Sequence, residues 1–146
     1  MANKLNSTFK TLLFTTLVIC TCSLSSFAQP VTVTLCEGLE SSNDMETAAT
    51  AINPTNIFKE NGSNDNVFFL LNFEPFGKSV GLRLVVTEKN KDGEFFQDRV
   101  MSVSSTSFYA TASMVVHDPG KYCVRVVDEF DESIVYSKEV YFTLKK

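Results

Sequence analysis

The sequence contains no tryptophan, one histidine and only four cysteines in 146 residues. A single histidine excludes a histidine-rich metal site, and no H-E-x-x-H or paired Cys/His spacing supports a zinc centre. Four cysteines are too few for a small fold that depends on many disulfides. Charged residues make up 21% of the chain and hydrophobic residues 44%, a balance that excludes an intrinsically disordered protein. The length predicts one globular domain.

The first 28 residues predict a secretory signal peptide. Lys4 and Lys10 give a basic start, and an apolar run follows from Thr11 to Leu24. This run is too short to span a bilayer, which needs ~20 apolar residues. Ser26-Phe27-Ala28 then supplies small residues at the two positions that a signal peptidase recognises. We therefore predict cleavage after Ala28 and export to the periplasm, the cell surface or the medium.

Cleavage would leave an acidic mature domain over residues 29–146. Lys4 and Lys10 leave with the signal peptide but no acidic residue does, so the net charge falls from −4 to −6. This charge argues against nucleic acid as a partner and against insertion into or binding to an anionic membrane. Two alternatives to cleavage stay open: a retained membrane anchor, and a lipoprotein modified at Cys20 or Cys22.

Seven segments of the mature chain alternate between apolar and polar residues with the period of two that is typical of β-strands. They are Val31–Cys36, Asn66–Phe73, Val80–Glu88, Glu94–Val100, Thr106–Val115, Lys121–Asp128 and Ile134–Leu144. Because no long amphipathic helix is available for parallel βαβ units, these segments predict an all-β, seven-stranded antiparallel β-sandwich. The first connection is either irregular or contains a short helix that begins at Asn43 and ends at Asn53-Pro54.

The turn before the sixth segment has the sequence Asp118-Pro119-Gly120-Lys121-Tyr122. This D-x-G-x-Y spacing resembles the tyrosine corner of immunoglobulin-like domains, and the stretch 119–128 resembles the closing hairpin of such domains in exported bacterial proteins. The resemblance implies an immunoglobulin-like topology, with Asp118, Gly120 and Tyr122 as its structural corner, and a strand near Asn56–Lys59. It also implies a non-catalytic module. The chain departs from the immunoglobulin pattern because Val124 stands where the inter-sheet cysteine is usual.

Cys36 and Cys123 are the two cysteines that remain after cleavage. Export permits oxidation, and two cysteines allow only one intramolecular disulfide. The alternation places both side chains on outer faces, so the bond requires their strands to be adjacent, with Cα atoms under ~7 Å apart. The sequence leaves open either this disulfide or two partly buried thiols. The mature chain contains no C-x-x-C motif, which argues against a redox-active pair.

The last connection carries four carboxylates around one phenylalanine: Asp128, Glu129, Phe130, Asp131 and Glu132. We predict that these residues bind a partner, because an exposed phenylalanine at a loop tip is an effective interface anchor. Calcium prefers six to eight oxygen ligands, but the spacing of these carboxylates matches no calcium-binding loop. We therefore predict no metal and no cofactor.

Two further groups of residues are candidate sites. His117 beside Asp118 has the chemistry of a general base, but a lone histidine in a turn is usually solvated, and no G-x-S-x-G motif is present. Phe95, Phe96 and Tyr109 are divided between strand faces, which favours core packing over a sugar-binding platform. We predict a non-enzymatic exported module that binds an envelope or extracellular protein, or a glycan. The alternative is a domain that binds a small ligand, carbohydrate or calcium.

Overall fold

A computed structural model describes residues 29–40, 49–60, 66–88 and 95–146. The predicted signal peptide lies outside the described residues. Within the described ranges, no helix combines the length and the apolar character that crossing a membrane requires. The described residues form β1 Thr32–Glu40, β2 Thr50–Pro54, β3 Ile57–Lys59, β4 Asn66–Asn72, β5 Val80–Glu88, β6 Phe95–Val103, β7 Tyr109–Val115, β8 Gly120–Asp128 and β9 Val140–Lys145.

These strands form two sheets that pack into a β-sandwich. One sheet has the order β2-β1-β4-β7 and the other β3-β9-β8-β5-β6. Neighbouring strands are antiparallel, except that β3 runs parallel to β9. The predicted all-β sandwich is therefore confirmed. The prediction of seven strands in a fully antiparallel arrangement is wrong, because β2 and β3 add to the two sheets.

Of the two alternatives for the first connection, the helix does not form where the structure describes that segment. Thr50 to Pro54 form a strand that pairs with the end of β1, as suits the β-branched Thr50 and Ile52. Ile52 lies over Gly38, where a Cβ atom would stand 3.6 Å from the isoleucine Cδ1. Asn53 has a φ of +50°, a left-handed conformation that asparagine tolerates better than most residues. Residues 41–48 lie outside the described residues.

The last strand begins at Val140, six residues later than predicted. Ser137 causes the difference, because its hydroxyl accepts the Val126 amide at 2.8 Å and replaces a backbone partner. The neighbouring Tyr136 carbonyl accepts the amide of Val31 at 2.8 Å. Residues 134–136 still bond to β8, through the Asp128 amide on the Ile134 carbonyl at 3.0 Å and the Tyr136 amide on the Val126 carbonyl at 2.8 Å. The pairing with β8 is therefore interrupted before β9 begins, and the interrupted segment ties this sheet to the beginning of β1 in the other sheet.

The core consists of the alternating side chains that the two sheets direct at each other. Tyr122 and Phe142 stack at its centre, with ring centroids 5.0 Å apart. Phe58 packs edge-on against Phe142 at 5.7 Å, which anchors β3 to the interior. The largest fully buried side chains are Tyr122, Phe69, Phe142, Leu71, Leu82, Leu84, Met114, Leu144, Val67, Val85, Val86 and Val116. This core fixes the strand ends from which the loops emerge.

Candidate functional site

Three connections meet at one end of the sandwich: β4–β5 (residues 73–79), β6–β7 (104–108) and β8–β9 (129–139). We call this surface the loop end, and its β8–β9 part the Phe130 loop. The Gly77 amide donates to the Ser105 carbonyl at 3.1 Å, which joins the first two connections. The Phe76 ring packs edge-on against Tyr136 at 5.6 Å and joins the first to the third. The loop end is therefore one interlinked surface.

Asp128 organises the base of the Phe130 loop. Its carboxylate accepts the amides of Phe130 at 3.0 Å and Asp131 at 3.2 Å. It also accepts the hydroxyl of Tyr136 at 2.9 Å. The Phe130 amide is the largest of the influences that lower the pKa of Asp128, against a smaller opposing effect of burial. Burial and the Asp128 carboxylate raise the pKa of Tyr136 to about 12.

A second turn closes the middle of the loop. The Asp131 carboxylate accepts both the amide of Ser133 at 3.0 Å and its hydroxyl at 2.6 Å. The Asp131 carbonyl accepts the amide of Ile134 at 2.9 Å, and the Ile134 carbonyl accepts the amide of Asp128 at 3.0 Å. Side-chain capping of this kind stabilises a tight turn without regular secondary structure.

The two glutamates lie against β5. The Glu129 amide donates to the Gly81 carbonyl at 3.0 Å. The Glu129 side chain fills the space beside Gly81, where an added Cβ atom would come within 2.8 Å of the Glu129 Cβ. Glu132 pairs with Arg83, which also binds Asp98 at 2.6 Å. Hydrogen bonding to Asp98 is the largest of the influences that raise the pKa of Arg83.

Phe130 is the projecting side chain of this loop, with 87% of its surface exposed. The structure brings all five predicted site residues together, but gives them different tasks. Asp128 and Asp131 fold the loop, Glu129 and Glu132 lie against β5, and Phe130 points to solvent. The arrangement presents one aromatic ring on an ordered acidic base. Among the described residues, no group of three or more His, Cys, Asp or Glu side chains is arranged to hold a metal ion.

Sequence reasoning missed Tyr136, Arg83 and Gly81 as parts of this site. Arg83 occupies an outward position among the apolar residues of β5 from Val80 to Val86, and that position was the available signal. A cavity of about 650 Å³ borders the same loop, lined by residues 30–33 and 135–140. Its walls come from the beginning of β1 and from the segment that precedes β9.

The predicted structural corner lies at the opposite end of β8. The Tyr122 hydroxyl donates to the Asp118 carbonyl, and the Tyr122 ring is 1% exposed. Burial is the main influence that raises the pKa of Tyr122, with the charges of Asp118 and Glu88 adding to it. Gly120 stands beside this ring without a positive φ, and a Cβ atom there would meet Tyr122 at an ordinary 3.6 Å.

Cys36 and Cys123 are reduced thiols in the structure and form no disulfide with each other. They lie on β1 and β8, which belong to opposite sheets, and both stand outside the core cluster that the sheets share. The requirement that the two strands be adjacent is therefore not met. Cys36 donates to the Phe68 carbonyl at 3.7 Å, and burial is the main influence that raises the pKa of its thiol.

The other residues considered from the sequence do not assemble into a site. His117 is exposed between β7 and β8. Tyr109 begins β7 and packs against Phe108 at 5.4 Å. Phe95 and Phe96 lie on β6, which belongs to the other sheet. Tyr109 therefore belongs to a different sheet from Phe95 and Phe96.

No family model and no curated protein match the chain. The solved structures that resemble its fold include three from different sources. A proposed lipoprotein of Bacillus anthracis is 13% identical, with a TM-score of 0.42 over 73% of this chain and 77% of that chain. The PmoD soluble domain of Methylocystis is 11% identical, with a TM-score of 0.43 over 78% and 90%.

The third structure is a β-glucosidase of Kluyveromyces marxianus, 11% identical with a TM-score of 0.33. The match covers 78% of this chain but only 15% of the enzyme. All three likenesses concern the β-sandwich fold and extend to no activity. The chain is a β-sandwich domain similar in fold to the lipoprotein and to the PmoD domain.

Proposed function

We propose that this protein is an exported, non-catalytic, immunoglobulin-like module that binds another envelope or extracellular component through the Phe130 loop. The observation that carries the proposal is the 87% exposure of Phe130 on a loop whose polar groups bond to one another. Burying a phenylalanine side chain contributes about 1.5–3 kcal/mol. A ring held in solvent on an ordered support is therefore available to supply that energy to a partner.

The internal bonds of the loop favour binding because they reduce the entropy lost on association. Asp128 fixes the backbone on both sides of the ring, and the Asp131 turn fixes the next residues. Immobilising a flexible side chain or loop at an interface costs about 0.5–1.5 kcal/mol per side chain. Much of that ordering is already present in the unbound protein.

The charge around the ring indicates the chemistry of the partner. The exposed charged residues of the Phe130 loop and the β4–β5 connection are mostly acidic, namely Asp131, Glu132, Glu139 and Glu74 against Lys78 and Lys138. A complementary partner offers an apolar pocket with a basic rim, since interfaces match potentials of opposite sign. Because rim charges act mainly on the rate of encounter, we expect association to slow as the salt concentration rises.

Two features support an immunoglobulin-like fold and export for this module. The Tyr122 bond to the Asp118 carbonyl has the form of a tyrosine corner. The basic, apolar and small-residue sequence of positions 1–28 supports export. Together they favour an immunoglobulin-like domain that acts outside the cytoplasm.

The test is capture of a partner by the purified mature chain from native envelope and medium fractions. Three baits are compared: the wild type, Phe130→Ala, and the control Ile57→Ala, which truncates a 47% exposed side chain on β3. We expect the wild type and the control to retain a stoichiometric partner. Phe130→Ala should weaken binding about 30-fold or more, the effect of losing an interface hot spot. Equal capture by all three baits would contradict the proposal.

A further inference from the structure

Within the described residues the two sheets have four edge strands, and the sequence of one of them contains none of the residues that usually block pairing. β2 ends in Asn53 and Pro54, and β3 has only three residues. β6 carries Asp98 and Arg99, and its register shifts opposite Val86 and Thr87. Short edges, prolines, charges and bulges are the usual means by which proteins block edge-to-edge pairing. β7 has seven residues and contains no charge, proline or glycine.

The backbone of β7 alternates between the neighbouring strand β4 and the open edge. The Phe108 carbonyl accepts the amide of Phe73 at 3.0 Å, so the even-numbered positions of this strand face β4. The Ser113 carbonyl accepts a long bond of 3.4 Å from Arg99, which lies on the other sheet. Tyr109, Thr111, Ser113 and Val115 therefore direct their amides and carbonyls toward the edge.

The side chains of β7 are complementary to a second copy of the same strand. An antiparallel pair with a two-fold axis at Ala112 sets Thr111 opposite Ser113 and Tyr109 opposite Val115. Hydroxyl pairs and aromatic pairs with β-branched residues are favourable across strands. Both pairings involve residues whose backbone groups point to the edge, so they are hydrogen-bonded pairs. The chain has a net charge of −4, but in this pairing no charged residue of one strand faces a residue of like charge on the other.

We propose that β7 pairs antiparallel with β7 of a second copy of this chain, about a two-fold axis at Ala112. The two four-stranded sheets then form one continuous eight-stranded sheet, and Arg99 releases the Ser113 carbonyl to the partner strand. The interface is isologous, because each copy offers the same strand. It involves a strand that is separate from the Phe130 loop.

The first test is sedimentation equilibrium of the mature chain from micromolar to millimolar concentration. Thr111→Lys places a lysine on the exposed edge, and Thr32→Lys is the matched control on β1, an inner strand of the same sheet. We expect a reversible dimer whose dissociation constant rises about tenfold or more for Thr111→Lys and is unchanged for Thr32→Lys. A monomer throughout the range, or equal effects of the two lysines, would overturn the proposal.

The second test reads the register by oxidative cross-linking. Ala112→Cys brings two thiols together at the axis, because directly opposite Cα atoms of a non-hydrogen-bonded pair are about 4.5 Å apart. Ala110→Cys is the control, since its two copies are offset by four residues, about 13 Å along the strand. We expect a disulfide-linked dimer for Ala112→Cys alone. A folded Ala112→Cys variant that stays monomeric under oxidation would overturn the proposal, as would equal cross-linking of both variants.

Discussion

The Tyr136 hydroxyl donates a 2.9 Å hydrogen bond to the Asp128 carboxylate across the base of the Phe130 loop. The same ring packs against Phe76 of the β4–β5 connection. One side chain therefore links the acidic loop to its neighbour, and the exposed Phe130 ring stands on a base that both connections support.

Tyr136→Phe tests the contribution of this bond. The variant keeps the ring packing but removes the hydroxyl, and we expect the free energy of unfolding in urea to fall by about 1–2 kcal/mol. Tyr141→Phe is the matched control, because Tyr141 donates to Glu139 at an exposed position. There we expect a loss below about 0.5 kcal/mol. Equal losses in the two variants would contradict the role given to Tyr136.

The lowered pKa of Asp128 predicts that the stability of the protein depends on pH in the acidic range. Its pKa is lowered in the folded state, first by the Phe130 amide. The ionised Asp128 carboxylate therefore contributes fully to the free energy of unfolding above the usual aspartate pKa of about 3.9. This contribution is lost as the pH falls through the lower pKa of the folded state. Asp128→Asn should be less stable than the wild type at neutral pH, and the gap should narrow as the pH falls below about 4. Urea unfolding at a series of pH values measures the difference in free energy of unfolding between the two proteins. A difference that stays constant with pH would be evidence against the prediction.

The contact between Tyr122 and Asp118 predicts different outcomes for two neighbouring substitutions. Tyr122→Phe leaves the Asp118 carbonyl without its hydroxyl donor, so we expect a loss of about 1 kcal/mol in the free energy of unfolding. Gly120→Ala should change stability by less than about 0.5 kcal/mol, because a Cβ atom fits there without a close contact. Chemical denaturation of both variants decides the matter. A large loss in Gly120→Ala would show that the corner requires glycine.

The positions of Cys36 and Cys123 predict how many thiols can be alkylated. Cys36 and Cys123 lie in opposite sheets and both are buried, so a chain of residues 29–146 should contain two thiols and no disulfide. Alkylation of the unfolded, unreduced chain should add two groups by intact mass. In the native protein we expect slow labelling, because burial raises the pKa of the Cys36 thiol and thiolate is the reactive form. A chain that takes up alkyl groups only after reduction would contradict this topology.

The strands with clear alternation were predictable from the sequence because each buries one face. β5 has the predicted limits, Val80 and Glu88, and β4 and β8 differ from their predictions by one residue each. β2 was missed because apolar residues near Ile52 also fit helical spacing. β2 is stabilised by its pairing with β1, where Ile52 lies opposite Gly38, and local spacing does not contain such a tertiary contact.

The candidate site was predictable in composition but not in arrangement. The sequence of residues 128–132 indicates an acidic loop with a central aromatic. It does not indicate that Tyr136 reaches back to Asp128 or that Arg83, from another strand, binds Glu132. The predicted limits of β9 were wrong for the same kind of reason, because the Ser137 hydroxyl replaces a backbone acceptor for the Val126 amide. Interactions across sheet strands decide these features.

The most direct test of the central claim is site-specific photo-cross-linking in the cells that produce the protein. Phe130 is replaced by a photoreactive phenylalanine analogue, and Ile57, exposed on β3, receives the same analogue as the control. We expect a discrete cross-linked product from position 130 and none of that mass from position 57. The absence of a product at position 130, or the same products from both positions, would contradict partner binding through the Phe130 loop.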